Sequence, residues 1–337
     1  MSTEKPYCGM TMPKIGEYYK DNIYSYLSTP LCLIGIILNL LNILIFTRKT
    51  MISPAHLIFA HLAFADFLVL LARIPYTWLM QLQLEDRLNI TQHYGRIVFY
   101  LGCDTFIVTY QTISKFLTVQ LAVWRYIAVV HPFKERQWCT MEITRRVMFA
   151  GYIIWGVLFP VPYYLSTDVQ TINPNHENYE KILTAIQHPI ISLVVNIVLG
   201  LIIRILPSIV LAGLTFKIVV TLLARKKYQE QFTACARNPQ HSNRSTFILV
   251  AVVVLFFIAE FPKGVLSLLR VICDNEFNEF YKPCYASLIP IFNTITNLNL
   301  SITFFVYYIL SENFRITLKS LFSCNAHESH QELTPLS

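Results

Sequence analysis

The chain has 337 residues, a net charge of +7 and a mean hydropathy of +0.47; 54% of its residues are hydrophobic and only 14% are charged. A soluble domain carries about 25% charged residues, so this balance excludes an ordinary water-soluble enzyme or binding module. The apolar excess lies in long runs, and a bilayer-spanning helix needs roughly 20 such residues because its backbone polar groups must be satisfied within the segment.

Taken in chain order, residues 1–25 form a mixed polar tail containing Cys8, with no short apolar core near Met1 and hence no cleavable signal pattern. The first span is therefore expected to act as its own insertion signal. Spans are predicted near 26–46, 55–80, 100–130, 147–166, 190–223, 246–270 and 285–310. The third and fifth are long enough to extend past the hydrocarbon. Ile248 to Ile258 is apolar all round, unlike the striped helices of soluble bundles. The remainder, 311–337, reads as a short amphipathic helix and a tail. The expected fold is an all-α membrane protein, a seven-transmembrane helix bundle with a short amphipathic eighth helix. Its expected parts are an extracellular tail (1–25), a receptor-like domain (26–310) and a cytoplasmic end (311–337).

With the amino terminus outside, the inner segments hold 15 Lys/Arg against 6 Asp/Glu, and the outer segments 8 against 12. Basic residues crowd the inner ends at Arg48, Lys49, Arg145, Arg146, Arg225 to Lys227, Arg315 and Lys319, as the positive-inside rule requires. The acidic outer surface reads either as solvation or as attraction of a basic ligand. Asn89-Ile90-Thr91 is a glycosylation sequon in the first outer loop; Asn243-Arg244-Ser245 matches the same pattern on the inner side. Cys8, Cys103, Cys273 and Cys284 face the oxidising side, whereas Cys139, Cys235 and Cys324 lie inside and Cys32 within the first span. The outer four allow three pairings; Cys273 with Cys284 and Cys8 with Cys103 is the favoured one. Cys324, just after the amphipathic stretch, is a candidate for lipidation.

Ionisable residues inside spans are costly and therefore point to function. On the third span Asp104, Ile107, Gln111, Ser114, Thr118, Leu121 and Arg125 recur at steps of three or four and share a face, which must look into the bundle. Arg73 follows Asp66 by seven residues, about 10 Å along the same face. Lys115, Arg204, Glu260 and Lys263 add charge at middle to outer depth. Glu260 is expected to pair with Lys115 or Arg204, or else to bind a ligand arginine; an unpaired buried carboxylate is costly. Tyr76, Trp78 and Phe106 are candidates to hold an aromatic ligand side chain or, alternatively, to face lipid.

An ordered set of motifs runs through the spans: Gly35 to Asn39; Leu62 to Asp66; Cys103 and then Trp124-Arg125-Tyr126; Trp155; Pro207; Glu260-Phe261-Pro262; Asn299 to Thr303, Phe304 and Tyr307; and Phe314-Arg315. Each sits on its own span, and the set over about 26–322 resembles the rhodopsin-like G-protein-coupled receptors. The variants resemble the invertebrate myosuppressin and FMRFamide-related peptide receptors and the nematode-type srw serpentine receptors. The resemblance implies a receptor for a peptide, amidated in this family, that signals to a heterotrimeric G protein. It implies coupling roles for Trp124, Arg125, Tyr126 and Tyr307. The charged and inward-facing span residues Arg73, Asp104, Ile107, Gln111, Lys115, Arg204, Glu260 and Lys263 are the candidate ligand pocket. Asp66, Asn39, Ser114 and Asn299 match the family's buried polar cluster, which holds an allosteric sodium ion; the alternative is a protonated Asp66 in a hydrogen-bond network. No other cofactor is expected.

Several positions depart from the pattern. Thr303 stands where the family usually has Asn or Asp. Trp124 replaces the acid that restrains the arginine, and Ser242 stands where some relatives have an acidic partner, so aromatic packing is expected to hold Arg125. The loop 167–189 has no cysteine, which removes the family's common bridge to Cys103. Ile107 occupies the acid position of amine receptors and Asn297 the lysine position of retinal proteins, which disfavours both ligand classes.

An enzyme is disfavoured because no HExxH, GxSxG or phosphate-binding glycine loop occurs. A transporter would show a broken-helix repeat, and none is evident. A chemosensory role competes with a neuropeptide role. The expected partners are a peptide, a G protein and membrane lipid at the plasma membrane, with no nucleic acid.

Overall fold

The computed structural model describes residues 24–84, 90–166, 197–232, 256–269 and 278–323, with the single positions 194 and 254. Six described helices are long and apolar enough to cross a bilayer: Tyr24–Phe46, Pro54–Leu79, Phe99–Val130, Met141–Tyr163, Val198–Ala224 and Leu288–Ile309. The helix over 256–269 supplies the sixth in order, the rest of its apolar window lying outside the described residues. The chain is thus a seven-span helix bundle, followed by the amphipathic helix Glu312–Ser323. We call the end bearing Tyr24, Arg73 and Asp104 upper, and the end bearing Arg125 and Glu312–Ser323 lower.

The bundle inverts the pattern of a soluble protein. In the first span the buried positions are mostly small or polar (Ser25, Ser28, Cys32, Gly35, Asn39, Asn42), while Leu27, Leu33, Ile37, Leu40 and Leu44 are exposed on the opposite face. Leucine is as apolar as a lipid tail, so close packing and interhelical hydrogen bonds replace the hydrophobic drive. Ser25 donates to the Thr77 carbonyl at 3.2 Å and Trp78 Nε1 to Thr29 at 3.0 Å, tying the first span to the second. Asn297 Nδ2 donates to Ser28 at 2.8 Å and Asn39 Nδ2 to the Leu300 carbonyl at 3.1 Å, tying it to the seventh. Such bonds contribute about 0.6 kcal/mol each in a bilayer. Gly35 completes the seam: a Cβ there would collide with Ser301 Oγ and meet Leu70 Cδ1 at 2.6 Å.

The third span occupies the centre. From Ile107 to Ala122 nearly every side chain is buried, so the single inward face expected from the sequence becomes a helix enclosed on almost all sides. The fourth span starts at Met141, earlier than the apolar window, because Thr140 caps it by accepting from Ile143 N at 3.3 Å. Its Gly151 lies against the Phe116 ring, where any Cβ would clash.

Two spans widen into π turns, at Ile154–Leu158 and Val198–Ile205. Each precedes a proline, Pro160 and Pro207. Proline lacks the N–H that continues the ladder and crowds the carbonyl four residues back. The wider turn relieves that crowding; Phe159 N donates to the Ile154 carbonyl five residues back at 3.2 Å.

At the lower end aromatic rings form the packing. Phe46 meets Phe59 at 5.2 Å, Tyr307 at 5.2 Å and Phe314 at 5.5 Å, and Phe59 meets Tyr307 at 4.8 Å. Phe314 is 0% exposed, which anchors the amphipathic helix beneath the bundle. Each well-oriented ring pair adds about 0.5–1.5 kcal/mol beyond its buried area.

Candidate functional site

Midway down the bundle Glu260 binds two lysines. Its Oε2 lies 2.5 Å from Lys115 Nζ on the third span, and its Oε1 lies 3.5 Å from Lys263 Nζ one turn further along its own helix. All three are almost completely buried. The helix spacing explains the second contact, since positions three apart share a face. Lys263 also donates to Thr296 on the seventh span. Of the partners open to Glu260 from the sequence, the structure selects Lys115; Arg204 donates instead to Ser267, and the contact with Lys263 was not anticipated.

Glycines place Arg204 there. Gly200 and Gly264 face one another across the fifth and sixth spans, each with its would-be Cβ within 3.4 Å of the other's carbonyl oxygen. A Cβ on Gly264 would meet Ile205 Cγ1 at 2.8 Å and Arg204 Cβ at 3.0 Å. Sequence reading missed this pair, although two glycines at similar depth in adjacent spans are the available signal.

Above lies a tyrosine-lined layer. Asp104 accepts from Tyr163 at 2.7 Å. Tyr76 stacks on Tyr100 at 4.7 Å and accepts its hydroxyl proton at 2.9 Å. The Arg73 guanidinium sits 5.5 Å from the Tyr76 ring centre, and Arg73 is only 2% exposed. Asp104 is within electrostatic range of both Arg73 and Arg204. Of the aromatic candidates only Tyr76 points inward; Trp78 and Phe106 are exposed on the outside of the bundle. Ile107 is buried in an apolar cluster with Cys32, Val69, Leu70, Tyr76 and Leu300, so it serves as core at this depth.

Below, a cavity of about 40 Å³ runs from Glu260 and Lys115 to Asp66, with Gln111, Ser114, Thr118, Asn299 and Thr303 also in its wall. Ser114 donates to Asp66 at 2.6 Å. Such an oxygen set fits a small hard cation with part of its water shell. Asn39 does not belong to it: its amide nitrogen is turned to the carbonyls of Gly35 at 2.9 Å and Leu300 at 3.1 Å. Thr303, whose hydroxyl donates to the Asn299 carbonyl at 3.1 Å, stands on the wall instead.

At the lower end Arg125 has no ion pair among the described residues. Tyr307 and Glu135 are its electrostatic neighbours. Trp124 points away, donating to Thr144 on the fourth span at 2.9 Å, so the aromatic group beside Arg125 is Tyr307. Tyr126 packs beside Ala122, Leu211, Ile218 and Phe256. Ser242 lies outside the described residues.

Cys103 carries a free, half-buried thiol packed beside the cluster of Val69, Leu70 and Tyr76. Its expected partner, Cys8, lies outside the described residues. Cys32 and Cys139 are also free. In Cys139, outside the spans, burial first and then Glu135 push the thiol above its ordinary value. Cys8, Asn89, Cys273 and Cys324 lie outside the described residues, as does the side chain of Cys284.

Residues 26–325 match the profile of the serpentine-type 7TM GPCR chemoreceptor family Srw. The chain is 26% identical to the sex peptide receptor of Drosophila melanogaster, over 90% of this chain and 73% of that protein. It is 25% identical to sex peptide receptor-related protein 2 of Caenorhabditis elegans, over 91% and 72%. Its identity to the FMRFamide receptor of Drosophila melanogaster is 22%, over 84% and 50%.

Proposed function

The chain belongs to the serpentine-type Srw family of G-protein-coupled receptors, and from that premise we propose that it is a plasma-membrane receptor for a short, amidated peptide. The observation that carries this reading is the charged, tyrosine-lined interior of the upper half. Burying Glu260, Lys115, Lys263 and Arg73, and half-burying Arg204 and Asp104, in a membrane protein is costly, and a ligand with several polar groups gives that expense a purpose. Relatives named for sex peptide and FMRFamide support the same class.

In this reading the amino terminus is extracellular and the peptide enters from the upper end. Movement of the sixth span against the third then reaches Arg125, Tyr126 and Tyr307, which meet a heterotrimeric G protein at the lower end. Asp66, Ser114, Asn299 and Thr303 would hold a sodium ion that favours one arrangement of the bundle. The test is nucleotide exchange on a heterotrimeric G protein in membranes carrying the full chain, challenged with sex peptide, FMRFamide and amidated variants of both. Saturable, peptide-dependent exchange is expected. Silence across the peptides, with activation by small volatile or water-borne compounds, would favour a chemosensory receptor, the reading that the family's description supports.

A further inference from the structure

We propose that the Lys115–Glu260 ion pair is the resting-state tie between the third and sixth spans, and that Lys115 thereby positions the sixth span for signalling; the signalling consequence rests on the receptor reading above, the geometry does not. Among the described residues this is the one ion pair that joins two spans. Glu142 pairs with Arg146 at the start of the fourth span, and Lys263 pairs with Glu260 within the sixth. One turn below Glu260 the packing is apolar: Phe256 sits in a buried cluster with Ala122 of the third span and Leu211 and Ile218 of the fifth. In a bilayer such packing lacks the hydrophobic drive that it has in water, so the charge contact supplies the directional link. Arg125, at the lower end of the third span, adds no ion pair among the described residues.

The two lysines differ in what they lose when the spans part. Glu260 and Lys263 travel together on the sixth span and stay paired, and Lys263 also donates to Thr296 of the seventh. Lys115 is left alone on the third span, where it is buried. A buried charge stripped of its partner is costly, and that cost opposes separation. The cavity of about 40 Å³ reaches both Lys115 and Glu260. One water needs roughly 10–15 Å³, so water has room to reach a parted ammonium. The tie therefore restrains the sixth span without fixing it permanently.

The test compares two variants of the full chain that each remove one buried lysine. Lys115→Met cuts the tie between spans and leaves Glu260 its contact with Lys263 at 3.5 Å. Lys263→Met leaves Lys115 as the sole counter-charge of Glu260 and so tightens the tie. Ala122→Cys is added to each background in lipid nanodiscs. Its labelling by a water-soluble maleimide is read by peptide mass spectrometry, which separates it from the native cysteines. Ala122 is 0% exposed, so its reactivity reports opening of the cluster around Phe256. Lys115→Met is expected to speed labelling roughly fivefold or more and to raise basal nucleotide exchange with it. Lys263→Met is expected to slow labelling, and Lys115→Arg, which keeps the charge, to recover part of the restraint lost in Lys115→Met. Acceleration in both Lys115→Met and Lys263→Met, or none in a folded Lys115→Met, would overturn the proposal. If Lys115→Met does not fold, Lys115→Gln takes its place with the same expectation; failure of both while Lys263→Met folds would assign the pair to folding and overturn the proposal too. The labelling needs neither peptide nor G protein, so a silent peptide panel leaves it standing. Faster labelling with flat basal exchange would support the tie and count against the G-protein reading.

Discussion

The upper and lower halves of this bundle are held together by different physics. Above, buried charges, tyrosine hydroxyls and a close glycine contact set the geometry. Below, Phe46, Phe59, Phe304, Tyr307 and Phe314 pack as an aromatic layer, and Arg125 stands beside it with no ion pair among the described residues. The upper geometry therefore depends on charge balance, and the lower on ring packing.

Glu260→Gln is the change that should break the upper half most severely. It leaves Lys115 and Lys263 buried without their counter-charge, and removing one member of a buried ion pair costs about 3–5 kcal/mol. Surface expression and the unfolding midpoint should both fall, and Glu260→Gln combined with Lys115→Met should recover part of each. Once expression is matched, the peptide response of the single variant separates a ligand contact from a folding role. The lower half should break at Phe314. Phe314→Ala opens a void under the bundle at a cost of about 3 kcal/mol. Peptide affinity in a binding assay should stay within a few-fold, because the ring lies far from the upper cluster.

Gly264→Ala should sharpen the comparison. Its methyl group would press on Arg204 and Ile205, and overpacking of this kind costs about 1–3 kcal/mol. Peptide potency should drop more than the lower-end packing, read by labelling a cysteine introduced there. The smallest effect is expected from Trp124→Phe, which removes the bond to Thr144 at about 1 kcal/mol and should alter basal nucleotide exchange only slightly. Trp124→Asp, by offering Arg125 an acid, should change basal exchange further. Unchanged basal activity in Trp124→Asp would mean that Arg125 needs no restraint there.

Much of the lower half was legible in the sequence because its determinants are local or fixed by hydropathy. Long apolar runs located the spans, and Phe314 followed the last of them at a recognisable distance. The upper half was less legible. Seven-residue spacing did put Asp66 and Arg73 on one inward face, and charge cost alone suggested that Glu260 needed a cation. Which cation depended on the rotation of three helices about one another, which no single sequence encodes. The same limit explains Asn39 and Ile107. Each lies at the expected depth, but its azimuth is set by neighbours: Leu300 for Asn39 and the Val69–Leu70–Tyr76 cluster for Ile107. Trp124 shares this history. Its bond to Thr144 needed the fourth span to start at Met141, below the apolar window.

The π turn in the fourth span has a consequence for how such chains vary. A wider turn accommodates one residue more than the regular helix, so positions above Ile154–Leu158 run about 100° out of phase with a wheel drawn from below. The turn acts as a vernier between two stretches of one rod. Deleting a single residue within it would leave the lower stretch in register and swing everything above to a new azimuth. A receptor lineage could thereby re-aim its upper pocket while its lower face keeps the same fit.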